Sequence, residues 1–255
     1  LIVYFITNKK YPYLRTKSVE PLDEDTKQEI IKNAKAIFFV KVAVYFVYGT
    51  DNMLLSSFCG ITVVGLYSNY SMLISTINSF ISQVFNGITS SFGNFLVEKS
   101  KQEAVYMFDV LHFINFYITT FCATSLIVLL NPFIKVWLGK EMLLPMTVVV
   151  VIVFNFYTRS ITSALETVRT GAGLYSPYPF FKYWSLVEGI SNLVISIILA
   201  GPLKLGMLGI FLGTSISNHF TVFLLPYHVY KYVFNMPSKA FYIKYFVNTV
   251  ISACV

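Results

Sequence analysis

The stretch from Asn52 to Val97 reads NMLLSSFCGITVVGLYSNYSMLISTINSFISQVFNGITSSFGNFLV, and its 46 residues contain no Asp, Glu, Lys or Arg. An uncharged run of this length exceeds the roughly 20 apolar residues that one membrane-spanning helix needs. In lipid every backbone polar group must be paired internally, so such a run is expected to be helical. An outer-membrane barrel would show alternating segments of about ten residues, and none are present. The stretch therefore predicts an all-α membrane protein.

The composition of the whole chain agrees with this prediction. Apolar residues make up 56% of it and charged residues only 12%, whereas a soluble domain is about one quarter charged. The net charge of +7 does not indicate a nucleic-acid partner, because the basic residues lie at the ends of apolar runs and not along one stripe. We expect membrane lipids, and no nucleic acid, as partners.

Working outward from the uncharged stretch, we predict a polytopic transmembrane helical bundle of six spans. By the length criterion these cover about 36–58, 63–96, 106–130, 144–168, 180–200 and 205–230. Residues 8–35 carry too many charges to span, and we predict a water-exposed linker in which 25–35 starts a surface helix. Residues 1–7 end a preceding span and 240–255 begin a further one. Because the chain starts and stops inside apolar runs, we expect a larger protein whose missing part lies mostly upstream.

Orientation follows from the 19 Lys and Arg residues. Sixteen of these 19 fall on the side of the linker, and three fall on the other side, at Lys135, Lys140 and Lys204. Under the positive-inside rule the linker side is cytoplasmic. The alternation of basic loops holds through all six spans and independently supports their number.

Polar residues inside the predicted spans are the candidate functional residues, because charges are costly in lipid and usually face a partner or a water-filled cavity. Arg159 lies near the middle of the fourth span, Glu166 lies two helical turns further on, and Glu188 lies in the fifth span. The first span carries Lys41 and Asp51, and Asn52 follows directly. Two roles are possible for these residues: they line a polar lumen, or they pair with each other between helices. In the sixth span, small residues at Gly209, Gly213 and Ser217 predict a face where helices approach closely.

Motifs of soluble enzymes are absent. The chain has no GxxxxGK[ST] and no HExxH, and its three histidines and three cysteines are far apart in sequence. We therefore predict no metal, no cofactor and no catalytic residue.

Seven short stretches, taken in their order and spacing over nearly the whole chain, resemble a known family. They are Lys9–Leu14 (KKYPYL), Thr50–Asn52 (TDN), Val64–Tyr70 (VGLYSNY), Gly93–Phe95 (GNF), Asn131–Gly139 (NPFIKVWLG), Asn192–Leu199 (NLVISIIL) and Gly206–Thr214 (GMLGIFLGT). The chain resembles the polysaccharide repeat-unit flippases (Wzx-type O-antigen and capsule transporters) of the MOP superfamily, in their Gram-positive branch. The resemblance implies one six-helix lobe of a MATE-like or MOP-like two-lobe transporter, the C-lobe, plus partial flanking helices.

The resemblance also implies a function. Such a protein moves an undecaprenyl-pyrophosphate-linked oligosaccharide across the bacterial cytoplasmic membrane, with H+ or Na+ as a coupling ion, and performs no covalent chemistry. Two lobes rocking about a central cavity would expose that cavity alternately to each side. A MATE-like drug or cation antiporter is the alternative within transport. A polytopic glycan polymerase or acyltransferase is the alternative from another class.

Overall fold

A computed structural model describes the backbone of residues 10–11, 21–174 and 179–254. Within these ranges it describes the side chains except at 36, 39–48, 179–182 and 253–254. The described residues form helices and connecting turns and contain no strand. The prediction of an all-α protein is thus confirmed. The predicted end of a preceding span, at 1–7, lies outside the described residues.

The described residues contain eight α-helices of nine residues or more, which we number α1 to α8 in chain order. They are α1 Glu24–Cys59, α2 Ile61–Glu98, α3 Lys101–Leu138, α4 Met146–Ser160, α5 Ser163–Gly171, α6 Pro179–Ala200, α7 Gly206–Val229 and α8 Lys239–Cys254. A short 3₁₀ turn, Lys140–Met142, joins α3 to α4, and a π-helical turn, Tyr230–Phe234, follows α7.

Local signals set several helix ends. Asp23 caps α1 by accepting a hydrogen bond from the Thr26 amide at 2.9 Å. Ser100 and Glu103 form a reciprocal capping box at the start of α3, which satisfies two amides that have no partner inside the helix. The end of α3 was predicted near residue 130, just before Pro132, but the helix continues to Leu138 with Pro132 inside it. A proline removes one backbone donor and does not always end a helix in a packed bundle.

Four helical segments are long and apolar enough to cross a membrane, judged by length and composition over the described residues. They are Lys101–Leu138, Met146–Gly171, Tyr183–Ala200 and Gly206–Phe234. These correspond to the third to sixth predicted spans and support an all-α membrane protein. Helices α1 and α2 cover the first and second predicted spans, and α2 carries many Ser, Thr and Asn side chains. That these two helices also cross the membrane stays a prediction.

The predicted linker is partly helical. Helix α1 begins at Glu24 and runs without interruption to Cys59, so the charged segment from Glu24 to Lys35 continues directly into the first predicted span. The side chains of Lys27, Lys32 and Lys35 are exposed.

Close helix packing occurs where small residues were predicted to allow it. Helix α7 lies against α6 so tightly that a Cβ added at Gly209 would lie 2.7 Å from the Leu199 carbonyl carbon. A Cβ added at Gly213 would lie 2.8 Å from the Ser196 Cα. The prediction of a close-packing face on this helix is confirmed. Large apolar side chains such as Phe121 (73% exposed) and Val136 (89% exposed) cover the outside of the bundle, as expected for a surface that faces lipid.

Helix α5 is separate from α4, although the sequence predicted one continuous span over 144–168. The chain leaves the helix at Ile161 and Thr162 and resumes it at Ser163. This break stands next to Arg159, and it shapes the site described below.

Candidate functional site

A cavity of about 550 Å³ opens between α2, the broken α4–α5 segment, α6 and α7. Helix α2 lines it with Ser75, Asn78, Ser79, Ser82 and Asn86. The α4–α5 segment lines it with side chains that include Arg159, Ser160, Ser163, Glu166 and Arg169. Helices α6 and α7 add Trp184, Ser185, Glu188, Asn218 and Thr221. Three of its four walls belong to segments apolar enough to span a membrane, so its polar lining is a local departure from an otherwise apolar bundle.

Three of the predicted site residues meet in this cavity: Arg159, Glu166 and Glu188. Glu166 forms an ion pair with Arg169, three residues further on, and the Arg169 side chain is 8% exposed. Arg159 interacts electrostatically with Glu188 on the neighbouring helix α6. The cavity thus holds two arginines and two glutamates whose formal charges cancel.

Glu188 is fixed by a chain of hydrogen bonds between α6 and α7. The Trp184 indole N–H donates to the Thr221 hydroxyl at 2.8 Å, and that hydroxyl donates to Glu188 Oε2 at 2.7 Å. Asn218, one turn before Thr221, is 6% exposed. Its Nδ2 is buried and has no hydrogen-bond partner among the described residues. A buried amide donor at a cavity wall is costly unless a ligand or water accepts from it.

The break in the α4–α5 segment is held by a residue of another helix. Asn115 of α3 is fully buried, and its Nδ2 donates to the carbonyl oxygens of Ser160 at 3.0 Å and Ile161 at 2.8 Å. The Ser160 hydroxyl in turn donates to Asn78 Oδ1 of α2 at 2.8 Å. The cavity wall at Arg159 is therefore tied to two neighbouring helices.

Asp51 lies outside the cavity lining, in a second polar cluster between α1, α6 and α7. The Thr214 hydroxyl lies 3.4 Å from both carboxylate oxygens of Asp51, which is 9% exposed. Asn192 Nδ2 donates to Thr214 Oγ1 at 2.9 Å and to Ser217 Oγ at 3.3 Å. Asn192 Oδ1 is buried and has no donor among the described residues. Arg159 is near enough to Asp51 for a favourable charge interaction.

One of the two remaining predicted site residues, Asn52, joins neither cluster. Asn52 is exposed on α1, one position away from the buried Asp51. The side chain of Lys41 lies outside the described residues. The described part of the chain contains no group of three His, Cys, Asp or Glu side chains that could hold a metal ion.

Sequence reasoning missed Arg169 as a site residue and placed it only among the cytoplasmic positive charges. Its position three residues after Glu166 was the available signal, because residues three apart share a helix face. Among the uncharged polar side chains inside the predicted spans, Asn78 lines the cavity. By contrast, Tyr70 and Asn155 bond other helices: the Tyr70 hydroxyl donates to Asn131 at 2.6 Å, and Asn155 donates to the Phe211 carbonyl at 2.9 Å.

The chain matches no known protein family, no curated protein and no solved structure. The class of protein is therefore defined by the fold and the site alone. It is an all-α membrane protein with a polar, charge-paired cavity among its apolar helices.

Proposed function

We propose that this chain is the C-terminal six-helix lobe of a flippase of the bacterial cytoplasmic membrane. Its substrate would be an undecaprenyl-pyrophosphate-linked oligosaccharide destined for a cell-surface polysaccharide. The observation that carries the proposal is the polar cavity containing Arg159 between apolar helices. A hydrophilic, anionic headgroup cannot cross hydrocarbon unaided, so its carrier needs a polar passage beside the lipid.

The charge balance of the cavity suggests how a pyrophosphate would bind there. Arg169 is already held by Glu166 within α5, whereas Arg159 and Glu188 belong to different helices. A pyrophosphate would replace Glu188 as the partner of Arg159, since a guanidinium binds phosphate oxygens through two parallel N–H donors. Uptake of a proton would neutralise Glu188 and so favour its replacement by pyrophosphate as the partner of Arg159. H+ is therefore one candidate coupling ion.

The Asp51 cluster supports Na+ as the alternative coupling ion. Its candidate ligand atoms are the oxygens of the Asp51 carboxylate and the Asn192 carbonyl oxygen that has no donor among the described residues, while the Thr214 and Ser217 hydroxyls already accept from Asn192 Nδ2. Hard cations prefer oxygen ligands of this kind. A cation bound here would compete with Arg159 for the charge of Asp51 and so change the electrostatics of the cavity.

A second transport function is favoured by one specific observation, the two carboxylates that line the cavity with the arginines. In a drug or cation antiporter Glu188 would bind the organic cation directly. The two candidates therefore differ in which residue touches the substrate: Arg159 in the flippase and Glu188 in the antiporter.

The test uses the full-length protein in lipid vesicles loaded with undecaprenyl-pyrophosphate-linked oligosaccharide. We expect the lipid to change leaflet with its mass unaltered. Arg159→Ala should reach the membrane at normal abundance and lose transport, and Arg159→Lys should retain a part of it. Lys140→Ala, at a basic residue in the 3₁₀ turn outside the cavity lining, is the control and should transport normally.

Other outcomes move the conclusion elsewhere. A longer glycan or an added acyl group would mean an enzyme. Poor expression of Arg159→Ala, rescued by also changing Glu188→Gln, would make the arginine a structural partner. Normal transport by Arg159→Ala together with loss by Glu188→Gln and uptake of an organic cation would favour the antiporter.

The coupling ion is tested separately in the same vesicles. If the Asp51 cluster binds Na+, an imposed Na+ gradient should drive transport in the wild type and fail to do so in Asp51→Asn. If Glu188 carries the coupling proton, a pH gradient should drive transport, and Glu188→Gln should abolish that response while Asp51→Asn keeps it.

A further inference from the structure

The break between α4 and α5 is not caused by a proline or a glycine. Neither proline nor glycine occurs between Met146 and Thr170, and sharp interruptions of a helix usually need one of them or an inserted polar group. The inserted group here is the Asn115 side chain, which donates to the carbonyls of Ser160 and Ile161. Thr119, one turn further along α3, donates to Asn115 Oδ1 at 3.4 Å and orients the amide.

The break changes which residues reach the cavity. Arg159 of α4 lines it just before the break, and Glu166 and Arg169 of α5 line it after the break. Inside the break, the Thr162 hydroxyl donates to the Arg159 carbonyl oxygen at 2.8 Å. The placement of Arg159 relative to Glu166 and Arg169 is thus set by the interrupted backbone to which Asn115 donates.

We propose that Asn115 is the positioning residue of the cavity: it keeps the α4–α5 segment broken and thereby sets where α5, with Glu166 and Arg169, lies relative to Arg159 and the substrate. The inference rests on the proposed function for its consequence in substrate binding, but the positioning itself can be measured without substrate. Without the amide, the two carbonyls would sit in a low-dielectric interior with no donor. The backbone would then regain regular i to i−4 bonds across Ile161 and Thr162, which would move Glu166 and Arg169 relative to Arg159.

The first experiment measures the geometry of the break. In full-length protein with Cys59, Cys122 and Cys254 replaced, a cysteine at Ser163 in the cavity wall is labelled with a water-soluble maleimide. Asn115→Leu should change the labelling rate at least about fivefold, the effect of roughly 1 kcal/mol of altered pairing.

The matched control is Asn131→Leu on the same helix. Asn131 donates to the Leu144 carbonyl at 3.3 Å and lies outside the cavity, so its loss should leave the labelling rate within about twofold, below 1 kcal/mol. If Asn115→Leu does not accumulate, Thr119→Val removes only the bond that orients the amide, and it should shift the rate in the same direction. An unchanged rate in the variant that accumulates overturns the inference.

The second experiment is a double-mutant cycle on binding of undecaprenyl pyrophosphate in detergent. If Asn115 acts through Arg159, Asn115→Leu and Arg159→Lys should each weaken binding, and the double variant should bind no more weakly than the weaker single variant. If the fold-loss of binding in the double variant instead equals the product of the two single fold-losses, Asn115 acts independently of Arg159 and supports only the general fold. That result overturns the inference. Unchanged binding in Arg159→Lys and Arg159→Ala would instead defeat the proposed function, and the labelling result would still decide whether Asn115 positions the break.

Discussion

The Thr221 hydroxyl donates a 2.7 Å hydrogen bond to Glu188 Oε2 and thereby joins α7 to α6 at the wall of the polar cavity. The same hydroxyl accepts from the Trp184 indole at 2.8 Å. A single side chain thus bonds a half-buried carboxylate and a half-buried indole at once. Removing the hydroxyl would leave both groups without this hydrogen-bond partner and lower the stability of the protein, so the position provides a sensitive test of the structure.

Thr221→Val removes the hydroxyl at nearly constant volume and leaves both Glu188 and Trp184 without this partner. We expect a loss of about 1–3 kcal/mol in the free energy of unfolding, the range for losing hydrogen bonds to a neutral and a charged partner. Thermal unfolding of the purified protein in detergent measures it. Thr221→Ser keeps the hydroxyl and should lose less than half as much. Equal losses in the two variants would mean that the methyl group, not the hydrogen bonds, matters at this position.

Gly213→Ala should separate α6 from α7. The added Cβ would lie 2.8 Å from Ser196 Cα, closer than packed atoms tolerate, and overpacking of this kind costs about 1–3 kcal/mol. Gly65→Ala in α2 is the matched control, because a Cβ there meets nothing within 4 Å. The control should raise the melting temperature or leave it unchanged, since alanine favours helix over glycine by about 1 kcal/mol. A stable Gly213→Ala protein would contradict the close approach of the two helices.

Cysteines introduced at Lys101 and Lys140 should label from opposite sides of the membrane. Helix α3 has 38 residues and is about 57 Å long at about 1.5 Å per residue, which exceeds the thickness of the bilayer. Labelling with an impermeant thiol reagent in intact cells and in inverted vesicles distinguishes the sides, and Lys101 should react from the cytoplasm. Reaction of both positions from one side would disprove that α3 crosses the membrane.

The start of α1 should depend on pH through Asp23, outside the membrane-spanning segments. The hydrogen bond from the Thr26 amide holds the pKa of the Asp23 carboxyl below its usual range. A carboxyl whose pKa is lowered by folding stabilises the helix start above its unfolded pKa, and that contribution disappears as the pH falls through the lowered value. The protection factor of the Thr26 amide, which corrects for the intrinsic pH dependence of exchange, should therefore fall in acid. Asp23→Ser keeps a capping oxygen that does not titrate, so it should remove the pH dependence while retaining protection. The same pH dependence in Asp23→Ser would assign it to another group.

The membrane class of this protein was readable from its sequence alone. Helices occupy all six predicted spans and the position near Ala240 where a further helix was expected. The physical reason is local: a long uncharged run in lipid can satisfy its backbone only by forming a helix. The close-packing face of α7 was also predictable from the spacing of Gly209 and Gly213, because small residues four apart share one helix face.

Tertiary structure decided the site. The sequence predicted a continuous fourth span because no residue within it disfavours a helix, and the break exists because Asn115, 45 residues away from Ser160, supplies the donors that regular helix would otherwise supply. Likewise, Arg169 was assigned to the cytoplasmic surface by its place in the chain, but packing of α5 buries it to 7% exposure beside Glu166. A helix face becomes a cavity wall only through the neighbours that pack against it, and those neighbours come from distant parts of the chain.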